Sequence, residues 1–435
     1  MNLRLNTRVL EVSAALGLLL SLAACGGDDD QAGTELKTAG PCIADASAPV
    51  PARSEPGTWQ RVDIPGAVCS NGSQYSIFVN YSATSNNLVF MLEPGGACWD
   101  YGSCSPDGGL RGAANPRGLP PGIDHMARFQ FLPLARKEAE LNPAHDWNKI
   151  FIPYCTGDIH TGNNVITYSG PNGEVEVFRH NGHDNIMRVI GWANTTFPVV
   201  PRMLVTGCSA GGAGAIINYH YFRKGMSGAQ CGYLLNDSGP IFPSDGNSGP
   251  LHAKVRQSWN LDPLIDALDG ELAGVTVAQL KQDFGLINVA LANKYPQDRL
   301  ALTVYRRDLN YSLYSYESFF MYPPYTRIHD LWEQDIARLR QVYDSRDNLA
   351  YFMPFFRIDN CSHCVSIPPI GLDGKDLTYA LTEPWRGSEI QESSLNLKDY
   401  TAHLLDDTQP LQSYFEGEQT GEGFTTEEAA ACEGL

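Results

Sequence analysis

Basic residues are scarce: 31 Lys and Arg stand against 49 Asp and Glu in 435 residues, for a formal net charge of −18. A surface of that sign repels phosphates, which excludes nucleic acid as a partner. Charged residues make up only 18% and hydrophobic ones 43%, which excludes intrinsic disorder for the whole chain. No glycine triplet repeats, and no second long apolar run follows the N-terminal one, so collagen-like and polytopic membrane architectures are excluded too. Cysteine, by contrast, is plentiful. There are 11, many for a cytosolic enzyme, and the number is odd.

The N-terminus accounts for the odd one. Arg4 and Arg8 precede an apolar stretch from Val12 to Leu22, followed by Ala23-Ala24-Cys25 and then Gly26-Gly27-Asp28. A basic start, a short apolar stretch and small residues before a cleavage point form a secretory signal, too short to span a bilayer. Leu22-Ala23-Ala24-Cys25 resembles a bacterial lipobox, so residues 1–24 are expected to be removed and Cys25 to carry lipid. The expected location is the cell envelope, lipid-anchored on the extracytoplasmic side at an outer membrane or cell surface. Ten cysteines then remain, enough for up to five disulfides in an oxidising compartment. Their pairing is not deducible from sequence, although Cys98 with Cys104 is a plausible local closure.

Residues 25–57 are rich in Ala, Gly, Pro and Asp and read as the lipidated cysteine plus a flexible tether. Residues 58–405 read as one large catalytic domain. Residues 406–435 carry eight acids and no Lys or Arg, and read as a solvated acidic tail in which Cys432 pairs with the body or with Cys42. Within the body, apolar runs at 87–96, 149–158, 202–212, 232–239, 299–308 and 351–364 each end in a turn bearing Gly, Asp or Cys. Nearly continuous apolar runs suit strands buried on both faces. Helical patterns at 213–224, 276–295 and 326–343 alternate with them. The expected class is α/β, with a mostly parallel sheet whose sites gather at the carboxyl ends of the strands.

Gly207-Cys208-Ser209-Ala210-Gly211 fits G-x-S-x-G between a strand-like run and a helix-like one. A sharp strand-to-helix turn there presents the Ser209 hydroxyl as a nucleophile, and the next amide, on Ala210, sits at a helix N-terminus where an oxyanion is favoured. The Gly-rich loop Glu93-Pro94-Gly95-Gly96 follows an earlier strand, so the Gly95 and Gly96 amides are expected to complete the oxyanion hole. The base and acid are expected at later strand ends. His363, in Asn360-Cys361-Ser362-His363-Cys364, follows the last run and is the candidate base; His403 is the other late histidine. Asp308 closes the penultimate run and is the favoured acid, with Asp237 as its rival. A zinc reading of Cys361-x-x-Cys364 lacks a second ligand pair, and His180-x-x-His183 reads as a surface element, so neither metal nor cofactor is expected.

Taken together, Leu92-Glu93-Pro94-Gly95-Gly96-Ala97-Cys98, Phe151-Ile152-Pro153-Tyr154-Cys155-Thr156-Gly157-Asp158, Gly207-Cys208-Ser209-Ala210-Gly211-Gly212 and Asn360-Cys361-Ser362-His363-Cys364 resemble the pectin acetylesterase/Notum carboxylesterase family. The resemblance implies an α/β-hydrolase fold, a Ser-His-Asp triad, no metal, and hydrolysis of oxygen esters. Carried over by position, it makes Ser209 the nucleophile and His363 the base. The chain departs from the family at Arg307-Asp308-Leu309-Asn310, where relatives carry a Tyr-Asp-Ser-Trp-Gln-like run, and at Pro94, where relatives have Gly. The aromatic residue that usually flanks the glycines is displaced to Trp99. The expected activity is an extracytoplasmic serine carboxylesterase removing acyl groups, acetyl included, from a carbohydrate or related ester. The alternatives are a lipase-like esterase for longer acyl chains and a catalytically inactive binding protein. Tyr305, Tyr311, Tyr314, Tyr316, Phe319, Phe320, Tyr322 and Tyr325 are candidates for lining the pocket or packing the core.

Overall fold

Six of the apolar runs form adjacent strands of one sheet. A computed structural model describes residues 40–107, 112–320, 325–357, 362–367 and 382–418. Its strands are β1 (Trp59–Val68), β2 (Gln74–Asn80), β3 (Leu88–Leu92), β4 (Asn148–Ile152), β5 (Asn164–Ser169), β6 (Val175–His180), β7 (Val200–Cys208), β8 (Ala229–Asp237), β9 (Arg299–Thr303), β10 (Leu349–Met353) and β11 (Tyr414–Phe415). The main sheet has nine strands in the order β1-β2-β4-β3-β7-β8-β9-β10-β11. Only β2 runs against its neighbours; from β4 to β11 every pairing is parallel. β5 and β6 form a separate hairpin.

Strands β3, β4, β9 and β10 are buried along their whole length, as parallel strands covered on both faces must be. The period of two divides their side chains between two apolar layers. Leu88, Phe90 and Leu92 join the layer containing the helices Gly182–Thr196, Ala210–Gly225 and Tyr325–Tyr343. Val89 and Met91 face the layer closed by the helix Leu397–Leu404. Each such buried side chain contributes about 1.5–3 kcal/mol by the area removed from water. The strand order, the single reversed strand and helices on both faces make this an α/β-hydrolase fold, and the described residues fall within one compact unit, Thr38–Leu435.

Three sequence expectations change. The helical pattern at 276–295 is broken into Val277–Gln282, a 3₁₀ turn at Phe284–Leu286 and Ile287–Lys294. Asp283 causes the break, since its side chain accepts from the amide of Gly285, a residue packed so closely on Phe242 and Pro243 that a Cβ would meet the Phe242 carbonyl oxygen at 2.5 Å. The described part of the tether is fastened to the body. Cys42 is bonded to Cys231, and Asn86 Nδ2 donates to the Ala48 carbonyl. The acidic segment up to residue 418 is fastened to the body as well, because β11 extends the sheet beside β10. There Glu416 is fully buried, accepting from Arg357 and from the Gln391 amide, each at 3.0 Å. Arg306 and Arg340 lie over the Phe415 ring, at 4.2 and 3.6 Å from its centroid.

The described cysteines form four disulfides: Cys42–Cys231, Cys69–Cys155, Cys98–Cys104 and Cys208–Cys364. Bonds of this number suit folding in an oxidising compartment. Among the described residues no helix is long and apolar enough to cross a membrane. Cys25, Cys361 and Cys432 lie outside the described residues.

Candidate active site

β7 ends at Cys208 and the next helix starts at Ala210, which leaves Ser209 to make the whole turn. It does so at φ 53° and ψ −119°, a backbone conformation that costs a non-glycine residue on the order of 1–3 kcal/mol. Two contacts hold it there: the Ser209 amide donates to the Asp237 carbonyl at 2.8 Å, and its own carbonyl accepts from the Ala213 amide at 2.9 Å. The turn is tight enough to need glycine beside it. A Cβ on Gly211 would meet the Leu92 carbonyl oxygen at 2.1 Å, so the elbow and the end of β3 are in backbone contact.

A narrow cleft of about 30 Å³ opens over this turn, lined by Gly96, Ile159, Ser209, Ala210, Asn310, Tyr311, Tyr314 and His363. The nucleophile and base read from sequence therefore face the same cleft, from β7 and from the segment after β10. His363 Nδ1 lies 2.8 Å from Asp308 Oδ2. Asp308 is fully buried and caps the helix Leu309–Tyr316, its Oδ1 accepting from the Tyr311 amide at 2.8 Å. Burial raises the Asp308 carboxyl above the usual carboxylate range, and the neighbouring imidazole opposes the rise. Burial alone would lower His363, but the Asp308 carboxylate outweighs it and holds the imidazole above its ordinary value.

Asp237, the rival acid, points elsewhere. It is the last residue of β8, in register with Thr303, and its carboxylate accepts from the Val365 and Ser366 amides at 3.0 and 2.8 Å. β9 also ends sooner than its apolar run implies. The strand stops at Thr303, and Asp308 stands five residues beyond it, on the loop that reaches the imidazole.

The Gly-rich loop hangs from a buried carboxylate. Glu93 accepts from the Tyr154 amide at 2.8 Å and from Asn115 Nδ2 at 3.2 Å, and its Oε2 lies 2.7 Å from His125 Nε2. Beyond it, Gly95 and Gly96 take φ of 137° and 49°. Gly96 and Ala210 line the cleft beside Ser209, whereas Gly95 lies one step back, against Ala114 and Tyr154. Trp99 sits behind the cleft wall, its ring 5.5 Å from that of Tyr314.

Sequence reading passed over two lining residues. Asn310 carries no motif. Ile159 occupies φ 48°, a rare conformation for a β-branched residue, with its amide donating to the Tyr154 hydroxyl at 2.7 Å. Only the Tyr154-to-Asp158 run hinted at that loop. Of the histidine pair, His180 Nδ1 lies 3.0 Å from the Thr156 carbonyl and Nε2 2.9 Å from the Tyr168 hydroxyl, while His183 Nδ1 lies 3.0 Å from Asn218 Oδ1. His180 is thus buried against its partners rather than on the surface. Among the described residues, the two close Cys and His groups, Cys98/Cys104/His180 and Cys208/His363/Cys364, contain disulfide sulfurs and not the thiolates a metal requires.

The fold is that of an α/β hydrolase, with a serine on a strained strand-to-helix turn and a His–Asp pair on the segments that follow later strands. Within that class, residues 58–260 match the family model for pectinacetylesterase, just under half of the chain. The match includes the Gly95–Gly96 loop and Ser209 and stops before Asp308 and His363. The chain is 28% identical over 183 residues to pectin acetylesterase 4 of Arabidopsis thaliana, a match covering 39% of this chain and 42% of that protein. It is 26% identical over 184 residues to pectin acetylesterase 7 of the same plant, covering 40% and 42%. The chain thus spans less than half the length of these curated relatives. A solved structure of the Wnt deacylase Notum from Drosophila is similar at 17% identity and TM-score 0.46, covering 72% of this chain and 90% of that one.

Proposed function

We propose that the protein is an extracytoplasmic serine carboxylesterase that removes short acyl groups, acetyl foremost, from an acylated carbohydrate. The observation that carries this reading is the buried Asp308 lying 2.8 Å from His363, with His363 lining the same cleft as Ser209. With Asp308 on Nδ1, His363 Nε2 is free to take the Ser209 proton as the hydroxyl oxygen attacks the acyl carbonyl. The tetrahedral oxyanion is stabilised by the Ala210 and Gly96 amides, with Gly95 shaping the loop or donating as well. Collapse expels the alcohol, which takes the proton from the imidazolium. A water molecule, deprotonated by His363, then attacks the acyl-enzyme, and as the Ser209 oxygen leaves it takes that proton back from the imidazolium and the acid is released.

The narrowness of the cleft beside Ser209, about 30 Å³, favours a short acyl group over a long chain. The match of residues 58–260 to the pectinacetylesterase model supports an acylated carbohydrate substrate, and the four disulfides support export. We further propose anchoring by lipid at Cys25, which fatty-acid labelling lost in Cys25→Ala would test. For the activity, the test is hydrolysis of p-nitrophenyl esters of increasing acyl length, together with fluorophosphonate labelling. Preference for acetyl and labelling that is lost in Ser209→Ala are expected. Preference for long chains would favour a lipase-like pocket. No turnover and no labelling by folded protein would refute the esterase reading and leave a binding protein.

A further inference from the structure

The segment bearing His363 follows β10, yet much of what holds it belongs to β7 and β8. Cys364, next to the base, is bonded to Cys208, next to the nucleophile. The Cys364 amide donates to Ser238 Oγ at 3.1 Å. The Val365 amide donates to Asp237 Oδ1 at 3.0 Å, and the Ser366 amide and hydroxyl both donate to Asp237 Oδ2. Ser238 Oγ completes the set, donating to Asp237 Oδ1 at 2.9 Å. The main chain of the same aspartate accepts from the Ser209 amide at 2.8 Å. One residue therefore grips the nucleophile's backbone with its carbonyl and the base's loop with its carboxylate.

We propose that Asp237 and the Cys208–Cys364 disulfide form a clamp that sets the His363 imidazole against the Ser209 hydroxyl, with Asp237 as a positioning residue for the proposed esterase reaction. The inference rests on the reading of Ser209 and His363 as nucleophile and base. Asp237 is fully buried and accepts hydrogen bonds from the neutral donors of Ser238, Val365 and Ser366, an arrangement that is costly in desolvation unless hydrogen bonds offset it. A loop that needed only to be folded could be held by apolar packing at less cost. The backbone is strained along the same line of contacts. Ser209, Ser238, Ser362 and Cys364 have φ of 53°, 49°, 49° and 59°, and such conformations persist where surrounding contacts over-determine them. The separate Asp308–His363 bond fixes the ring's tautomer and tilt, while the clamp fixes where the ring stands. A misplacement of about 1 Å at a reacting group is worth on the order of 100-fold in rate.

The test compares wild type, Asp237→Asn, Cys208→Ala/Cys364→Ala and, as a control, Cys42→Ala/Cys231→Ala, which removes a disulfide at the far end of β8. Each is assayed for p-nitrophenyl acetate hydrolysis, with rates expressed per fluorophosphonate-titrated site so that unfolded protein drops out. In Asp237→Asn a donor replaces an acceptor facing Val365 or Ser366. Asp237→Asn is expected to lose about 10- to 100-fold in kcat with KM within about twofold of wild type. The Cys208/Cys364 double variant is expected to fall in the same direction, and the control to lose thermal stability while keeping kcat. A purely structural role would lower melting temperature and the titrated fraction but not kcat per site. If kcat per titrated site stays within about twofold in Asp237→Asn, or in the Cys208/Cys364 variant should Asp237→Asn not fold, the clamp is overturned and the esterase reading stands. If folded wild type neither hydrolyses the ester nor takes the probe, both fall together.

Discussion

Replacing Asp308 by asparagine removes one charge with almost no change in shape, and the structure says what should follow. Asp308 Oδ2 lies 2.8 Å from His363 Nδ1 in a buried site, and Oδ1 accepts from the Tyr311 amide at 2.8 Å. An asparagine can keep the helix cap by turning its carbonyl to Tyr311, which leaves its NH₂ facing Nδ1. A donor there requires Nδ1 to be the unprotonated nitrogen, so the ring's proton moves to Nε2, and the lone pair meant for the Ser209 proton is lost. The expected loss in kcat is about 10³- to 10⁴-fold, or about 4–5.5 kcal/mol at 1.4 kcal/mol per decade. KM should change little, because no substrate contact is altered. The assay is p-nitrophenyl acetate turnover, with circular dichroism to show that the fold persists. Retention of more than a tenth of wild-type kcat by folded Asp308→Asn would refute the assignment of Asp308 as the orienting acid.

The raised His363 pKa fixes the sign of the pH dependence. The base must be neutral, so kcat/KM should climb with pH through a midpoint above 6.5, and a profile already flat at pH 6 would contradict the pairing. Gly211→Ala places a methyl 2.1 Å from the Leu92 carbonyl oxygen, so the elbow must shift; a drop in melting temperature and in probe labelling is expected, and wild-type values for both would refute that contact. Ile159→Ala enlarges the cleft wall, so the ratio of butyrate to acetate kcat/KM should rise about tenfold; an unchanged ratio would remove Ile159 as a limit on acyl length.

Much of the frame was legible in the chain because the signals were local. Strands buried on both faces read as apolar runs, and six such runs did become neighbouring strands. Strands β1, β2 and β11, at and next to the edges of the sheet, were not read. β1 mixes polar with apolar positions along its length, and the two residues of β11 gain order only by pairing with β10. The break at Asp283 and Gly285 was hidden as well, since it depends on how closely Pro243 approaches from a distant segment. The strained Ile159 left no mark in a periodicity argument.

The sequence alone determined the strand-to-helix turn at Ser209, because a strand, a helix and the small residues between them lie within one short segment. It also offered His363 as the candidate base, through its place after the last apolar run. It left two carboxylates, each at a strand end, as candidate acids. Tertiary structure brings one of them, Asp308, against the His363 imidazole. Asp237 is still within β8 when its strand ends, in register with Thr303, and its carboxylate is taken up by the amides of Val365 and Ser366. Asp308 stands beyond β9 on a loop whose helix cap aims one oxygen at Tyr311 and leaves the other for His363. Which carboxylate meets the imidazole thus depends on strand register and loop reach, and these are set only when the strands pair.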